Sequence, residues 1–223
     1  GPANKQGRIA ADNICGGNSR FHGSQGSSVL KLFGLTAAST GINEKAAQAA
    51  GITYDKVVLF PASHATYYPG AQSMAMKVLY EKETLRLLGA QIVGREGADK
   101  RIDVLATAIR AGMTALELTE LDLAYAPPYS SAKDPANMAG FMIEDLESGK
   151  VRQFHWDEVD GLPRDGSAAL LDVRTAWEYQ RGHLDGFRNI PLDDLREHLD
   201  ELDRGKPVYV NCQTGLRSYL ACR

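Results

Sequence analysis

Cysteine is scarce in this chain: three thiols, Cys15, Cys212 and Cys222, among 223 residues. That number and scatter argue against a disulfide framework and for a reducing, cytoplasmic setting. No Cys/His spacing resembles a zinc site. No apolar run is long enough to span a bilayer, and no secretory signal stands at the start. A formal charge of -3 gives no general attraction for nucleic acid or an anionic membrane. No internal repeat is visible. What remains is an ordinary soluble globular composition, at a length that suggests about two domains. The chain opens at Gly1-Pro2 on a helix-start pattern and stops at Arg223, soon after a glycine-containing loop. A parallel α/β layer would normally continue there, so the expectation is a piece of a longer protein.

Residues 3–14 predict a helix ended by Gly16-Gly17, and residues 23–28 a Gly/Ser-rich loop. Residues 29–40 are apolar and partly β-prone. Asn43 predicts a cap for a short helix through Ala50. Strands are expected at 54–60, 75–80 and 85–93, the last two joined through Glu81-Lys82-Glu83-Thr84. Residues 99–111 form an amphipathic helical pattern with Ile102, Leu105, Ala106 and Ile109 on one face. Another short helix is expected to start over 114–118. Two prolines make the run from Tyr125 to Ser131 irregular. Asp134-Pro135 then starts a helix to Leu146, and Ser148-Gly149-Lys150 is the expected domain boundary.

Beyond it the order becomes strand (168–173), helix from Thr175 through Gln180, strand (186–190), helix (192–199), strand (208–211) and an apolar helix (216–222). This β-α-β-α-β alternation predicts a parallel sheet.

The chemical signal is the run Cys212-Gln213-Thr214-Gly215-Leu216-Arg217, directly after an apolar strand. A strand–loop–helix turn aims backbone N–H groups at one point. Such donors hold a thiolate or persulfide and lower the thiol pKa. Amides from Gln213 to Arg217 are the expected donors, with Gly215 supplying a positive φ or a close approach. Arg217 is cationic at any working pH and would steer thiosulfate, a persulfide or a polysulfide. The bland readings are a packing cysteine at 212 and, ten positions on, a small apolar helix residue at Cys222. Asp172 and Arg174 read as a structural ion pair, His183 as a turn histidine, and Trp177 and Tyr179 as packing.

Asp172-Val173-Arg174, Glu178-Tyr179, Gly182-His183-Leu184-Asp185-Gly186, Asn189-Ile190-Pro191 and the Cys212 loop together resemble the rhodanese family over residues 153–223. The resemblance implies a Cys212 persulfide that passes sulfane sulfur to an acceptor nucleophile. Dual-specificity phosphatases share the overlapping fold but carry a longer Cys-to-Arg loop; five positions separate Cys212 and Arg217 here, which favours sulfur chemistry.

Residues 1–150 resemble the C-terminal part of flavin-dependent pyridine nucleotide–disulfide oxidoreductases. The similarity rests on Gly1-Pro2-Ala3-Asn4-Lys5-Gln6-Gly7-Arg8, Phe33-Gly34-Leu35-Thr36, Ser39-Thr40-Gly41, Tyr67-Tyr68-Pro69-Gly70, Leu88-Gly89-Ala90-Gln91 and Tyr125-Ala126-Pro127-Pro128-Tyr129. The branch it is most similar to is the coenzyme A disulfide reductases, of the fusion type ending in a rhodanese domain, the NADH-dependent persulfide reductases. The resemblance implies FAD, NAD(P)H and coenzyme A. It places Ala3 and Asn4 nearest the flavin, where the helix N-terminus stabilises developing negative charge. Lys5 and Arg8 would contact coenzyme A phosphates, although Arg8 reads equally as solvated helix charge. Tyr67, with Tyr68 as its neighbouring alternative, and Tyr125 would reach the partner subunit's active site, against the plainer reading of satisfied packing phenols. The His-Glu acid–base pair of other such reductases is not seen, and His64 reads as a turn or core histidine. The dinucleotide-binding loops and the reductase's own redox cysteine would lie before residue 1; Cys15 does not match that cysteine.

The expected architecture is thus the end of an FAD-binding domain (1–27), an α+β reductase dimerisation domain (28–150) and a truncated α/β parallel-sheet rhodanese-like domain (151–223). The parent would be a cytoplasmic homodimeric reductase of coenzyme A disulfide, persulfide or polysulfide. A reading from a different class is a dimerisation and docking module with a non-catalytic rhodanese domain; an intact Cys212 and Arg217 argue against it.

Overall fold

The computed structural model describes residues 1–223. The chain divides into two compact units, Gly1–Phe141 and Met142–Arg223. No helix is long and apolar enough to cross a membrane.

The first unit opens with α1 (Pro2–Ile14), whose proline sits in the first turn, where the missing N–H costs nothing. Five strands follow: β1 (Ser28–Leu32), β2 (Leu35–Gly41), β3 (Tyr54–Leu59), β4 (Met74–Glu81) and β5 (Leu87–Gly94). They form one sheet in the order β1-β2-β5-β4-β3, antiparallel throughout. The β-prone stretch at 29–40 is therefore a hairpin rather than one strand. Between β2 and β3, Asn43 caps α2 (Glu44–Ala49) by accepting from the Ala46 amide at 2.9 Å. Gly41 and Gly89 face each other across β2 and β5. A Cβ on Gly89 would stand 1.9 Å from the Ile42 carbonyl oxygen, so only glycine lets these strands approach.

Helix α3 (Ala98–Ala111) lies across β2 and β5. Ile102 and Leu105 are buried as the pattern predicts, together with Ile92 and Val78 of the sheet. Each such side chain contributes roughly 1.5–3 kcal/mol by leaving water. The stripe is rotated from the expected one. Ala106 and Ile109 are only half-buried, whereas Ala108 and Arg101 are buried. A charged residue counts as solvent-facing in a periodicity argument, but Arg101 finds Asp134 inside. The helix expected from Thr114 is a 3-10 turn at Leu116–Glu120, because the Thr114 amide and hydroxyl both bond the Glu117 carboxylate and tighten the entry. Helix α4 (Pro135–Glu147) then crosses the division between the units.

The second unit is built on β6 (Ala169–Asp172), β7 (Arg188–Asn189) and β8 (Val208–Asn211), parallel in the order β7-β6-β8. A central parallel strand is covered on both faces, which is why β6 reads as a continuous apolar run. Leu170 packs with Leu162 and Phe187 on one side, Leu171 with Ile190 and Leu195 on the other. Thr175 caps α5 (Ala176–Gln180) in a reciprocal box with Glu178. The strand expected over 186–190 shrinks to Arg188–Asn189, since the Phe187 amide closes a turn on Leu184. The helix expected at 192–199 is a 3-10 stretch, Leu195–Glu201; i→i+3 bonds from Asp194 to Pro191 and from Leu195 to Leu192 set the tighter pitch. Helix α6 (Leu216–Cys222) ends the chain.

Candidate functional site

Strands β6 and β8 run side by side and end together, with Asp172 level with Asn211. Ligands of open parallel sheets gather beyond such carboxyl ends. The chain leaving β8 presents Cys212 there, and Gly215 turns it into α6 with φ +95. That left-handed conformation is open to glycine at no steric cost; a side chain there would meet no neighbour, so the constraint is backbone geometry and not space.

The Cys212 sulfur accepts the Gly215 amide at 3.1 Å and the Ser218 amide at 3.4 Å. The thiol lies 3.6 Å from Ser218 Oγ, which itself donates to the Gly215 carbonyl at 2.9 Å. Burial pushes the thiol pKa up and is the largest single influence. The Ser218 hydroxyl and the amides of Ser218, Thr214 and Gly215 together outweigh it, and the thiol lies below its ordinary value. Of the expected loop donors, Thr214 and Gly215 thus act on the sulfur, while Gln213 and Leu216 stand exposed on the rim. Sequence reading missed Ser218. Its signal is position: one residue past the loop-closing Arg217, in the first turn of α6, its amide and hydroxyl both face back along the helix axis.

Arg217 does not stand free. Its Nη1 and Nη2 donate to Glu178 Oε2 and Oε1, each at 2.7 Å. Glu178 Oε2 also accepts the Thr175 amide and hydroxyl, both at 2.9 Å. Arg217, and then Thr175, hold the Glu178 carboxyl far below the usual carboxylate range. Glu178 in turn raises Arg217, with a smaller contribution from the Cys212 sulfur.

Below the loop, Asp172 and Arg174 form the ion pair expected. Asp172 is buried and takes Arg174 Nε at 2.9–3.0 Å and Nη2 at 2.6 Å. Asn189 donates to the Asp172 and Arg174 carbonyls, tying β7 to the same corner. His183 stacks on Tyr179 at 3.8 Å and bonds the Tyr179 carbonyl, a turn role. The Tyr179 hydroxyl donates to the Phe187 carbonyl at 2.7 Å. Trp177 is exposed under Arg181. Cys222 sits on the exposed end of α6.

In the first unit, the structure brings the two singled-out phenols together: Tyr67 and Tyr125 hydroxyls lie 2.9 Å apart, both exposed. The bond to Tyr67, then burial, raises the Tyr125 phenol. Tyr68 instead stands edge-on to His64, a buried histidine bonded to the Ala65 carbonyl. Arg101, unremarked in the sequence, staples the two tyrosine-bearing segments. Its Nη2 donates to the Ser63 carbonyl at 2.9 Å, to Ser130 Oγ at 3.2 Å and to Asp134 Oδ2 at 3.0 Å. Ala3 and Asn4 lie in the first turn of α1, which has no side-chain cap and no acidic residue. Lys5 and Arg8 line a cationic cleft with Arg20, His22 and Arg110. Cys15 is the exposed C-cap of α1, away from the Cys212 loop in sequence and unit.

Comparison with known proteins agrees with this division. A model of the pyridine nucleotide-disulphide oxidoreductase dimerisation domain matches residues 28–136, and a rhodanese-like domain model matches residues 155–223. Coenzyme A disulfide reductase from Staphylococcus epidermidis is 41% identical over 143 residues, 64% of this chain and 32% of that protein. Reduced Bacillus anthracis CoADR-RHD superposes with a TM-score of 0.93 at 46% identity, covering 100% of this chain and 40% of that one. A NAD-dependent persulfide reductase from A. fulgidus gives 0.84 at 42% identity, covering 99% and 39%. The chain therefore spans about a third of the length of the curated relatives it matches, 32% for the Staphylococcus epidermidis reductase. Residues 28–136 are thus similar to the dimerisation domain of the pyridine nucleotide-disulphide oxidoreductases, and residues 155–223 to rhodanese-like domains.

Proposed function

We propose that this chain serves a cytoplasmic, homodimeric FAD- and NAD(P)H-dependent reductase of coenzyme A disulfide, persulfide or polysulfide, and that its rhodanese module transfers sulfane sulfur through Cys212. Residues 1–27 would close the FAD-binding domain, 28–150 form the dimerisation domain and 151–223 the sulfur-transfer domain. The observation that carries this reading is the lowered Cys212 thiol, held by the Gly215 and Ser218 amides at the mouth of β8.

The Cys212 thiolate attacks the outer sulfur of a donor R–S–S⁻. The donor S–S bond breaks, R–S⁻ leaves and a Cys212 persulfide anion forms. The Gly215 and Ser218 amides stabilise the thiolate that attacks. Ser218 Oγ, an acceptor for the thiol, can turn its proton from the Gly215 carbonyl toward the ionised sulfur. A nucleophilic acceptor then takes the terminal sulfur and returns the thiolate. In the complete reductase that acceptor would be the thiol chemistry of the flavin centre, making one relay.

Toward that centre, Tyr67 and Tyr125 would hydrogen-bond the thiol substrate of the partner subunit; their shared bond allows one phenol to donate outward while the other supports it. The uncapped first turn at Ala3 and Asn4 fits the electron-rich edge of a flavin, since its amides have no side-chain acceptor. Bound there, the flavin would supply hydride acceptance from NAD(P)H and electron transfer to a disulfide. The cleft holding Lys5, with Arg8, Arg20 and Arg110, suits the phosphates of coenzyme A.

The test is cyanide-dependent thiocyanate release from thiosulfate or glutathione hydropersulfide. Cys212→Ser is expected to reduce the rate to the uncatalysed background. A Cys212→Ser rate equal to wild type would end the assignment.

A further inference from the structure

The charged side chains around the sulfur site are paired. Its two guanidinium groups are both neutralised by bidentate carboxylates: Arg217 by Glu178 and Arg174 by Asp172. Neutral donors hold the sulfur: the amides of Thr214, Gly215 and Ser218 and the Ser218 hydroxyl. Arg217 also reaches it, but only as half of its pair with Glu178. Peptide dipoles of this kind suit one negative charge on sulfur. The one cation within reach, Arg217, is shared with Glu178 and is not free for a second. Donors of sulfane sulfur differ in this respect: a hydropersulfide anion carries one negative charge, whereas thiosulfate carries two, on a terminal sulfur and on a sulfonate.

We infer that Glu178 is a specificity-determining residue: by holding Arg217 in a closed pair it tunes the Cys212 cradle toward monoanionic hydropersulfides and against dianionic thiosulfate. This rests on reading Cys212 as the sulfur acceptor. Both reactions balance without any further reactant. With a persulfide, Cys–S⁻ and R–S–S⁻ give Cys–S–S⁻ and R–S⁻. With thiosulfate, Cys–S⁻ and S₂O₃²⁻ give Cys–S–S⁻ and SO₃²⁻. In the second case three negative charges crowd the loop at the encounter, and the only cation positioned to offset one of them is committed to Glu178.

The pair is also built to stay closed. Glu178 cannot swing away freely, because Thr175 holds its Oε2 through two further bonds and the carboxylate is part of the α5 cap. Glutamine at this position keeps the cap, since either side chain can serve in a capping box. It removes the charge and leaves Arg217 cationic beside the sulfur.

The experiment measures kcat/KM for thiocyanate release by the full chain with thiosulfate and with glutathione hydropersulfide, using Cys212→Ser as the blank. Glu178→Gln is expected to raise the thiosulfate value about tenfold, the order expected for one unit charge restored at a semi-exposed site. The persulfide value should change less than about threefold, because the monoanion gains half as much from the same potential. A folded Glu178→Gln protein in which the ratio of the two values is unchanged overturns the inference and leaves the Cys212 assignment standing. If that variant does not fold, Gln213→Lys adds a cation on the exposed side of the loop with the pair intact; the same rise supports the inference and its absence overturns it. If wild type and Cys212→Ser are alike with both donors, the Cys212 reading fails first and takes this inference with it.

Discussion

Each unit of this chain holds a guanidinium–carboxylate pair away from water, and the two pairs do different work. Arg174 and Asp172 are two residues apart and close a corner at the end of one strand. Arg101 and Asp134 are far apart in sequence and join three segments: α3, the stretch carrying Tyr67 and the stretch carrying Tyr125. The first pair braces the floor under a sulfur loop. The second ties together the two segments that carry the phenols. A local pair costs little chain entropy, because its partners are already neighbours. A long-range pair becomes worthwhile only after the sheet and α3 have brought the segments together. The floor of the sulfur site is thus ordered by local strand-end geometry, the tyrosine site by packing between distant segments.

Arg101→Met should test that difference most severely. It leaves Asp134 nearly enclosed, at 4% side-chain exposure, with its cation gone. Removing one partner of a buried pair costs about 3–5 kcal/mol. Urea unfolding followed by far-UV circular dichroism is expected to show a loss of that order. The double variant Arg101→Met, Asp134→Leu should recover part of it, since no charge is then left stranded. In the second unit, Asp172→Ala strands an arginine that is 13% exposed and can reach water, so the cost should be smaller, about 1–3 kcal/mol. Trp156 and Trp177, the only tryptophans, both lie in that unit and report its transition by fluorescence. Equal losses in the two variants would break the comparison.

Legibility from sequence follows the same line. Asp172-Val173-Arg174 could be read as an ion pair because both partners are on one short stretch. The Thr175 cap, the β6 run, the Cys212 loop and the Gly215 turn are local in the same sense, and all were readable. Arg101 was not, because its partners lie on other elements and its own helix pattern placed it with the solvated residues. The pairing of Arg217 with Glu178 was hidden for that reason too: the residues are 39 positions apart, and α5 and α6 meet only when the parallel sheet forms. The sequence marks the 3-10 turns at Leu116–Glu120 and Leu195–Glu201 only as short helices, because apolar spacing does not distinguish an i→i+3 from an i→i+4 bond over so short a run.

A partly exposed cluster provides a third point on the scale. Glu44 binds Lys56 at 2.6 Å and Lys77 at 2.7 Å, at 21% side-chain exposure. Burial opposes its ionisation, but the two ammonium groups prevail and lower its pKa from 4.5 to about 2. A depressed carboxyl stabilises the fold above the unfolded value and loses that contribution as pH falls through the folded one. The window is therefore between 4.5 and about 2. Glu44→Gln should cost roughly 1–3 kcal/mol at pH 7, discounted for its solvent exposure. Urea midpoints of wild type and variant are expected to converge as the pH is lowered toward the folded value. A gap that persists undiminished there would assign the loss to packing instead of charge.

The smallest effect is the most informative about the sulfur. Ser218→Ala removes one hydroxyl from a half-exposed helix turn and retains the Ser218 amide bond to Cys212. Global stability should hardly move. The thiol should, because that hydroxyl leads the influences that offset burial, and without it the amides of Ser218, Thr214 and Gly215 act alone against the same desolvation. The sign is fixed: the Cys212 pKa rises, and at a pH below it the thiolate fraction falls. Iodoacetamide labelling, followed by mass spectrometry of the Cys212 peptide across pH 5–9, reads this directly. The midpoint of the variant is expected to lie above that of wild type, with the plateau rates at high pH alike. Coincident midpoints would mean that the amides alone set the thiol, and that the hydroxyl serves only to hold the Gly215 carbonyl and the turn of α6.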